Sequence, residues 1–454
     1  MSRENAWCPI ELIIKCGMLL TMVSEVPILR DVDIHISNGT IISIEPRSHD
    51  GCIYTQAVEL LDASNCLVMP GLVNAHTHAA MTMFRGLADD LPLNKWLSEK
   101  IFPAEAEHVC PENVYWASLL AFAEMIASGT TCFSDGYFYQ DKTMEAASKI
   151  GIRGVVAQGV IDFPAPGVPD STRNLEEARE FIDRWKGVTS LLTPSLFCHS
   201  PVTCSDKTLK GAMEICLSRD VPMQIHLSET IEEVETILSQ KGRRPAYYLD
   251  DLEILNERLI AVHCVHLNQD EIELVKERDA KVVHCPESNM KLATGICPVS
   301  HMLKMGIEVG LGTDGCASNN DMDMFAEMDI GAKLSKVFNN DPTALSAKEI
   351  LTIATTMGAR VLGLGDEIGT IEPGKRADVI VLDLNNPRLQ PVYDPISTVV
   401  YSANGGDVRD VIIDGRIVMR ERRLITIDLE EVMWEVRRIA EKIMEKKTTP
   451  HLPS

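Results

Sequence analysis

The segment VMPGLVNAHTHAAMTMFRGLADDLPLNKW, residues 68–96, begins with a short apolar run that ends in two histidines, His76 and His78. Residues two apart in a β-strand point to the same side of the sheet, so both imidazoles face one place. Imidazole is a preferred zinc ligand in proteins. A strand that ends in such a pair therefore predicts a metal site at its carboxyl end.

Seven further apolar runs follow the first one, and each leads into a helix-like stretch or a loop. The eight runs are LVMPGLVNAHTH, GTTCFSDG, IRGVVAQGVID, SLLTPSLFCHSP, PMQIHLSE, LIAVHCVHL, AKVVHCPESN and IEVGLGTDG. Strands alternating with helices predict a parallel α/β barrel whose active site lies at the carboxyl ends of the strands. We therefore expect residues 70–365 to form a metal-dependent (β/α)₈ TIM-barrel catalytic domain.

Polar side chains end most of these runs and would meet at the mouth of the barrel. They are His76, His78, Asp135, Gln158, His199, His226, His263, His284 and Asp314. A catalytic zinc takes three or four protein ligands and keeps one position open for water. His226, at the end of the fifth run, and Asp314, at the end of the eighth, complete such a set with the first pair. These four residues predict a zinc site, and iron or manganese would accept the same ligands.

The fourth run, SLLTPSLFCHS, contains no lysine. Barrels of this kind that hold two metals usually need a bridging anionic ligand there, often a modified lysine, so we expect one zinc per subunit. A water bound to that metal would be acidic near neutral pH, and its protons need carboxylates or imidazoles nearby. Glu229, three residues after His226, and His263, which ends the sixth run, are the candidates for this proton transfer.

The two ends of the chain predict a second, smaller unit. VDIHISNGTIISIE and VRDVIIDGRIVMRERRLI alternate apolar and polar residues around Asn38-Gly39 and Asp414-Gly415, and KRADVIVLDL indicates another strand. Such dipeptides are typical of type I′ turns between antiparallel strands. The last segment has helical apolar spacing. We expect residues 1–69 and 366–454 to form a composite β-sandwich with a C-terminal helix.

Composition limits the classes of partner. Among 454 residues 45% are apolar, and the formal net charge of −23 disfavours nucleic acid and anionic membranes. No run reaches the ~20 apolar residues that a membrane-spanning helix needs, and no signal peptide is predicted. Thirteen cysteines without a C-x-x-C pair indicate reduced thiols. We expect a cytoplasmic protein that acts on a small molecule.

The motifs that surround these residues resemble the amidohydrolase superfamily, and within it the 5′-methylthioadenosine/S-adenosylhomocysteine deaminases and related chlorohydrolase-type enzymes. They are PGLVNAHTHAAMTMFRGLADDLPLNKWL, QIHLSETIEEVE, AVHCVHL, HCPESNMKLATG and GLGTDGCASNNDMDMFAEM. The resemblance covers nearly the whole chain. It implies zinc-dependent hydrolytic deamination at C6 of an adenine nucleoside, which yields the inosine-type product and ammonia.

The same resemblance assigns roles to individual residues. The predicted zinc ligands are His76, His78, His226 and Asp314. By analogy with the family, Glu229 protonates ring nitrogen N1, whereas His263 and Asp314 help to deprotonate the attacking water. Asp314 also passes a proton to the departing amine.

Three substrate contacts are implied by the resemblance as well. Glu105, in FPAEAEH, matches a carboxylate that accepts hydrogen bonds from the ribose 2′- and 3′-hydroxyls. Trp96 matches an aromatic wall of the pocket, and His199 matches a histidine that contacts the nucleoside. His284 is expected to support the ligands or anchor a loop rather than to bind the metal.

One departure from the family concerns the substrate. Family members that use S-adenosylhomocysteine tend to place an arginine where this chain has Gln158, and Arg173 would reach a carboxylate only from a mobile loop. Loss of a guanidinium weakens bidentate recognition of a carboxylate. We hypothesise a preference for 5′-methylthioadenosine, with adenosine or S-adenosylhomocysteine as further possible substrates.

Other functions remain open on the same scaffold. Guanine deaminases and the hydrolases and chlorohydrolases of triazines share the metal residues, and only Glu105 favours a substrate that bears ribose. A non-catalytic, amidohydrolase-like assembly protein would typically lack metal ligands, which are all present here. Barrels of this kind are usually dimers or tetramers, so we expect a homo-oligomer.

Overall fold

The computed structural model describes residues 10–24, 26–47 and 59–448. Within these residues the strands are β1 (Leu12–Leu20), β2 (Ile28–Ser37), β3 (Thr40–Pro46), β4 (Glu59–Pro70), β5 (Leu72–Thr77), β6 (Thr130–Tyr137), β7 (Arg153–Val160), β8 (Leu192–Cys198), β9 (Met223–Leu227), β10 (Leu259–His263), β11 (Lys281–His284), β12 (Val309–Leu311), β13 (Val379–Asp383), β14 (Val408–Ile413), β15 (Arg416–Arg420) and β16 (Arg423–Leu424).

The helices of the described residues lie mostly between the strands. The α-helices are α1 (Leu93–Trp96), α2 (Phe102–His108), α3 (Pro111–Ala127), α4 (Gln140–Ile150), α5 (Asn174–Trp185), α6 (Asp206–Arg219), α7 (Ile231–Lys241), α8 (Pro245–Asp251), α9 (Gln269–Glu277), α10 (Pro286–Lys291), α11 (Val299–Lys304), α12 (Met324–Asn339), α13 (Ala347–Thr352), α14 (Gly358–Val361), α15 (Pro395–Tyr401) and α16 (Leu429–Thr448). Short 3₁₀ turns cover Ala79–Phe84, Ser171–Arg173, Pro387–Leu389 and Gly405–Asp407, and single π turns cover Leu97–Ile101 and Ile353–Met357. No helix within the described ranges has both the length and the apolar character needed to cross a membrane.

Strands β5 to β12 form the barrel. They are hydrogen-bonded in chain order, and every pairing between neighbours is parallel. A parallel bridge between Thr77 and Asp314 joins the two ends of the sheet, and the Asp314 amide donates to the His76 carbonyl at 3.0 Å. The predicted (β/α)₈ barrel is confirmed.

Burial explains why the eight runs are almost wholly apolar. Every residue of β5, β6 and β7 is buried, since side chains on one face fill the barrel and those on the other meet the surrounding helices. Each of the eight predicted runs overlaps one barrel strand. Polar side chains that interrupt this pattern at a strand end are therefore candidates for function.

Both ends of the chain contribute to a separate mixed sheet of eight strands. Its order is β16-β15-β14-β13-β4-β1-β2-β3, so segments from the two ends meet where β4 pairs with β13. The turns have positive φ at both central residues, with 49° and 72° at Asn38-Gly39 and 53° and 74° at Asp414-Gly415. These are the type I′ turns expected from the sequence. The exact domain limits at residues 69/70 and 365/366 stay a prediction.

A buried arginine joins the barrel to this sheet. Arg153, the first residue of β7, donates from Nε to Asp378 Oδ2 at 2.7 Å and from Nη2 to Asp378 Oδ1 at 3.1 Å. A further bond of 3.2 Å runs from Nη2 to Oδ1 of Asp414. The side chains of Arg153 and Asp378 are each 2% exposed, so this ion pair is removed from water. Such a pair holds the barrel and the terminal sheet together, and removing one partner would leave the other charge buried and uncompensated.

Replacing Arg153 with methionine should lower the free energy of unfolding by about 3–5 kcal/mol, because Asp378 would remain buried without its partner. Urea unfolding followed by circular dichroism measures this loss. Arg219→Met is the control, since the ion pair of Arg219 with Asp183 lies at the surface and should contribute at most about 1 kcal/mol. Equal unfolding midpoints for the two variants would contradict this role of Arg153.

Candidate active site

Three histidines converge at the mouth of the barrel. The rings of His76 and His78, both at the end of β5, lie 4.8 Å apart between centroids. His226, on β9, brings its Nε2 to 3.2 Å from Nε2 of His76. His76 and His78 are two residues apart and therefore point to the same face of β5. His226 joins them because the carboxyl ends of parallel strands lie at the same end of the barrel.

Asp314 completes the cluster from the turn after β12. Its Oδ1 lies 3.7 Å from Nε2 of His76 and 3.3 Å from Nε2 of His78. The other oxygen, Oδ2, accepts hydrogen bonds from Ser288 at 2.6 Å and from Ser318 at 2.9 Å. The backbone of Asp314 has φ of 63°, a conformation that non-glycine residues rarely adopt. The fold thus holds one carboxylate oxygen towards the imidazoles at the expense of local backbone strain.

Hydrogen bonds orient the imidazoles so that their Nε2 lone pairs face one another. Nδ1 of His76 donates to Oε1 of Gln224 at 3.3 Å, and Nδ1 of His78 donates to the Gly136 carbonyl at 2.5 Å. Burial lowers the pKa of His76 to about 3, so this ring is neutral at pH 7. Lone pairs and a carboxylate oxygen that face each other without a proton donor repel unless a cation lies between them. The donor set therefore fits a metal ion such as zinc.

Asp314 supplies the anionic member of that set. Burial opposes its ionisation, but the imidazoles of His78, His263 and His76 and the hydrogen bond from Ser288 together lower the pKa of its carboxyl. The group is therefore a carboxylate near neutral pH. Two overlapping groups have ligand atoms close enough to share one ion, namely His76, His78 and Asp314, and His76, His226 and His263.

Glu229 and His263 lie beside this cluster. Oε2 of Glu229 is 3.7 Å from Nε2 of His263, and the Glu229 side chain is only 13% exposed. Burial, and then the charge of Asp314, raise the pKa of Glu229 to about 8, so its carboxyl holds a proton at pH 7. Glu233 anchors the loop, because its carboxylate accepts the amide hydrogens of Ser228 at 2.8 Å and of Glu229 at 3.0 Å.

His263 is held in an unusual backbone conformation at the end of β10, with φ of 73°. Nδ1 lies 3.2 Å from the side-chain nitrogen of Asn289. When that amide donates to Nδ1, the ring proton lies on Nε2, and His263 is then a hydrogen-bond donor towards the cluster rather than a metal ligand. Burial lowers the pKa of this histidine to about 4.

A deep cleft of about 1010 Å³, part of it open to solvent, leads to the cluster. Trp96, Glu105 and His199 all line it. Oε1 of Glu105 accepts a hydrogen bond of 2.6 Å from the Tyr137 hydroxyl, and burial raises the pKa of Glu105 to about 7. Nδ1 of His199 lies 3.0 Å from the Thr203 hydroxyl. The roles predicted for these three residues stay predictions.

Other strand-end residues lie elsewhere. Asp135 accepts hydrogen bonds from Thr77, Ala79 and Gln140, so it anchors the turn after β5. Gln158 is a weak acceptor for the Gln140 amide at 3.4 Å and is not among the described residues that line the cleft. His284 is buried, and its Nδ1 has no hydrogen-bond partner among the described residues.

Sequence reasoning missed several contributors to the site. Gln224 lies two residues before His226 on one strand, so period-two geometry could have placed it on the same face. Phe102 lies three residues before Glu105 on α2, and helical spacing could have identified it. No comparable signal singles out Phe163, in the loop after β7, which also lines the cleft.

The sequence places the chain among known proteins. The model of the amidohydrolase family matches residues 67–418. A curated protein of Syntrophobacter fumaroxidans named 5-methylthioadenosine/S-adenosylhomocysteine deaminase is 47% identical over 433 residues, which cover 95% of this chain and 98% of that protein.

Solved structures agree with this result. An adenosine deaminase from Xanthomonas campestris with bound zinc is 39% identical, with a TM-score of 0.93, and the match covers 96% of this chain and 99% of that one. A zinc complex of an atrazine chlorohydrolase from Arthrobacter aurescens is 20% identical, with a TM-score of 0.85 over 94% of this chain and 100% of that one. The latter likeness concerns the fold alone.

Proposed function

The chain belongs to the amidohydrolase family, and from this premise we propose that it is a zinc-dependent hydrolytic deaminase of adenine nucleosides. The products are the inosine-type nucleoside and ammonia, and 5′-methylthioadenosine is the preferred substrate. One observation carries the proposal, namely that a single cleft contains both the cluster of histidines and aspartate and the buried carboxylate of Glu105. The names of the relatives support the same reaction.

His76, His78, His226 and Asp314 would hold one zinc ion through three Nε2 atoms and Oδ1. When bound, zinc would lower the pKa of a coordinated water from ~16 towards ~7 and so supply a nucleophile at neutral pH. Gln224 and the Gly136 carbonyl keep two of the imidazoles in the tautomer that binds metal.

Proton transfer is assigned to the residues beside the cluster. The carboxyl of Glu229, protonated at pH 7, gives its proton to N1 of the adenine ring, so less negative charge accumulates on the ring as C6 is attacked. Asp314 would accept a proton from the attacking water and then give it to the departing amine, and the proton left on the oxygen at C6 would return to Glu229. His263, for which the family resemblance implied a part in deprotonating that water, would instead orient it by donating a hydrogen bond from Nε2.

Glu105 would bind the ribose. One of its oxygens already accepts the Tyr137 hydroxyl, and the carboxylate lines the cleft where it can accept hydrogen bonds from a diol. Bonds to a charged acceptor contribute about 1.5–3 kcal/mol each. A flat base or a triazine has no hydroxyl pair to use this group, which favours a nucleoside.

At pH 8.5, where a carboxyl with a pKa of about 7 is ionised, Glu105→Gln should lower kcat/KM for adenosine by about 10- to 100-fold, mainly through KM, because the amide loses the negative charge that strengthens both hydrogen bonds. Steady-state kinetics on adenosine and on 2′,3′-dideoxyadenosine measure the effect. The wild-type enzyme should discriminate strongly between the two substrates, and the variant should discriminate weakly. An equal fall in kcat/KM for both substrates would show that Glu105 does not bind the ribose.

The cleft favours an uncharged 5′ substituent. No lysine or arginine is among the described residues that line it. Arg173 lies at the surface, where it pairs with Glu176 at 3.1 Å and Glu177 at 3.0 Å. The amino-acid tail of S-adenosylhomocysteine would therefore lack a cationic partner for its carboxylate.

An ammonia-release screen tests the proposed function. Zinc-loaded protein is assayed with 5′-methylthioadenosine, S-adenosylhomocysteine, adenosine, guanine and a set of amino- and chlorotriazines, and chloride release is followed in parallel. We expect ammonia from the adenine nucleosides, with the highest kcat/KM for 5′-methylthioadenosine. Activity only on guanine or triazines would assign the chain to those functions instead, and inactivity of metal-loaded protein on every compound would favour an assembly role.

A further inference from the structure

Two segments that follow different barrel strands meet at the wall of the cleft. Phe102 lies on α2, in the excursion after β5, and Phe163 lies in the loop after β7. Their rings are 5.8 Å apart between centroids with an interplanar angle of 65°, the edge-to-face geometry that aromatic pairs prefer. Pro164, Ala165 and Pro166 continue the same wall of the cleft. We call Phe102 and Phe163 the aromatic collar.

His199 lies close to both the metal cluster and the collar. The rings of His199 and His226 are 5.3 Å apart, and the rings of His199 and Phe102 are 6.3 Å apart. Phe102 also lies three residues before Glu105 on the same helix, so both side chains share one helix face. A nucleoside with its base at the cluster and its ribose at Glu105 would therefore direct its 5′ substituent towards the collar.

The surroundings of the collar are apolar. Leu97, Ile101, Pro164 and Pro166 line the adjoining part of the cleft. A thioether gains from contact with aromatic rings, typically about 0.3–1.5 kcal/mol per contact. A zwitterionic amino-acid tail would instead lose hydration there without a hydrogen-bonded or charged partner. Phe163 is 36% exposed as a residue, which leaves surface for a ligand to cover.

We propose that Phe102 and Phe163 are specificity-determining residues, and that they select nucleosides with small apolar 5′ substituents, as a class, over those with charged ones. This inference rests on the proposed function and extends it, because it assigns the selection to the meeting of two segments rather than to the residue at position 158. It also means that other short 5′-alkylthio nucleosides are substrates.

Phe163→Arg is the decisive variant. A guanidinium at the collar should pair with the carboxylate of S-adenosylhomocysteine and remove an apolar contact to 5′-methylthioadenosine. We expect the ratio of kcat/KM for S-adenosylhomocysteine to that for 5′-methylthioadenosine to rise about 10-fold or more. A second variant, Phe163→Ala, should lower kcat/KM for 5′-methylthioadenosine without raising kcat/KM for S-adenosylhomocysteine. Phe338→Arg makes the same change on an exposed phenylalanine at the end of α12 and should leave the ratio unchanged.

Calorimetric titration of the zinc-loaded protein with the two inosine-type products, 5′-methylthioinosine and S-inosylhomocysteine, gives a second reading that does not depend on turnover. The affinity ratio should shift in Phe163→Arg in the same direction as the kinetic ratio. A kinetic ratio that stays constant in both Phe163 variants, or a wild-type preference for S-adenosylhomocysteine, would overturn the assignment. Absence of ammonia release from every adenine nucleoside would instead refute the proposed function, so the two failures are distinguishable.

Discussion

Glu229→Gln is expected to lower kcat by about 10²- to 10⁴-fold, the usual contribution of a positioned proton donor. The amide has nearly the same shape and still donates a hydrogen bond, but it has no acidic proton to give to N1 of the ring. Burial raises the pKa of Glu229 to about 8, which is why the wild-type carboxyl is protonated and ready to act at pH 7. Steady-state kinetics on 5′-methylthioadenosine at pH 7 measure the loss.

Metal content and KM separate this role from a structural one. The variant should bind as much metal as the wild type and should keep KM within about threefold, since chemistry rather than binding is impaired. Glu232→Gln, three residues along and exposed on α7, is the control and should keep full kcat. Retention of more than about a tenth of the wild-type kcat in Glu229→Gln would exclude it as the proton donor.

His226→Gln is expected to abolish stoichiometric zinc binding and, with it, measurable turnover. A residue that only orients a ligand typically contributes 10- to 100-fold to metal affinity. Loss of a ligand itself should therefore lower the affinity for zinc by more than about 100-fold. Dialysed protein is analysed for metal, and affinity is measured by competition with a chelator. His35→Gln is the matched control, because His35 lies on β2 in the sheet outside the barrel.

His263→Gln distinguishes the two possible sets of ligands. Its ligand atom is as well placed as those of His76 and His226, but a proton on Nε2 would prevent coordination. We expect this variant to keep its zinc while kcat falls by at least about 100-fold. If zinc affinity falls as far as it does in His226→Gln, then His263 is a ligand and Asp314 is the group that acts on the water.

The parts of the fold that follow from local spacing were predictable from the sequence. Eight apolar runs predicted the barrel because both faces of a parallel strand are buried. Asn38-Gly39 and Asp414-Gly415 predicted their turns because both central positions of a type I′ turn require positive φ. That His76, His78, His226 and Asp314 lie near one rim followed from one rule, that carboxyl ends of parallel strands meet there, whereas their joint role as ligands stays a prediction.

Features that depend on loops or on the direction of a side chain were not predictable. Gln158 lies two residues before the end of β7 and is directed towards the start of α4, and its place near a strand end did not reveal that direction. Phe102, on α2, and Phe163, in the loop after β7, are more than 60 residues apart, so only the fold reveals that their rings lie edge to face. The ion pair of Arg153 with Asp378 joins the barrel to the sheet built from both ends of the chain, and neither residue belongs to a recognisable motif.

The central claim is that three imidazoles and one carboxylate, from strands far apart in the chain, hold a single catalytic metal ion. Titration of metal-free protein with Co²⁺, followed by visible absorption and by metal analysis after gel filtration, tests it most directly. We predict saturation at one Co²⁺ per chain, with the intense bands of a four- or five-coordinate ion, and loss of those bands in His226→Gln. Saturation at two ions per chain, or the same spectrum in wild type and His226→Gln, would contradict the account.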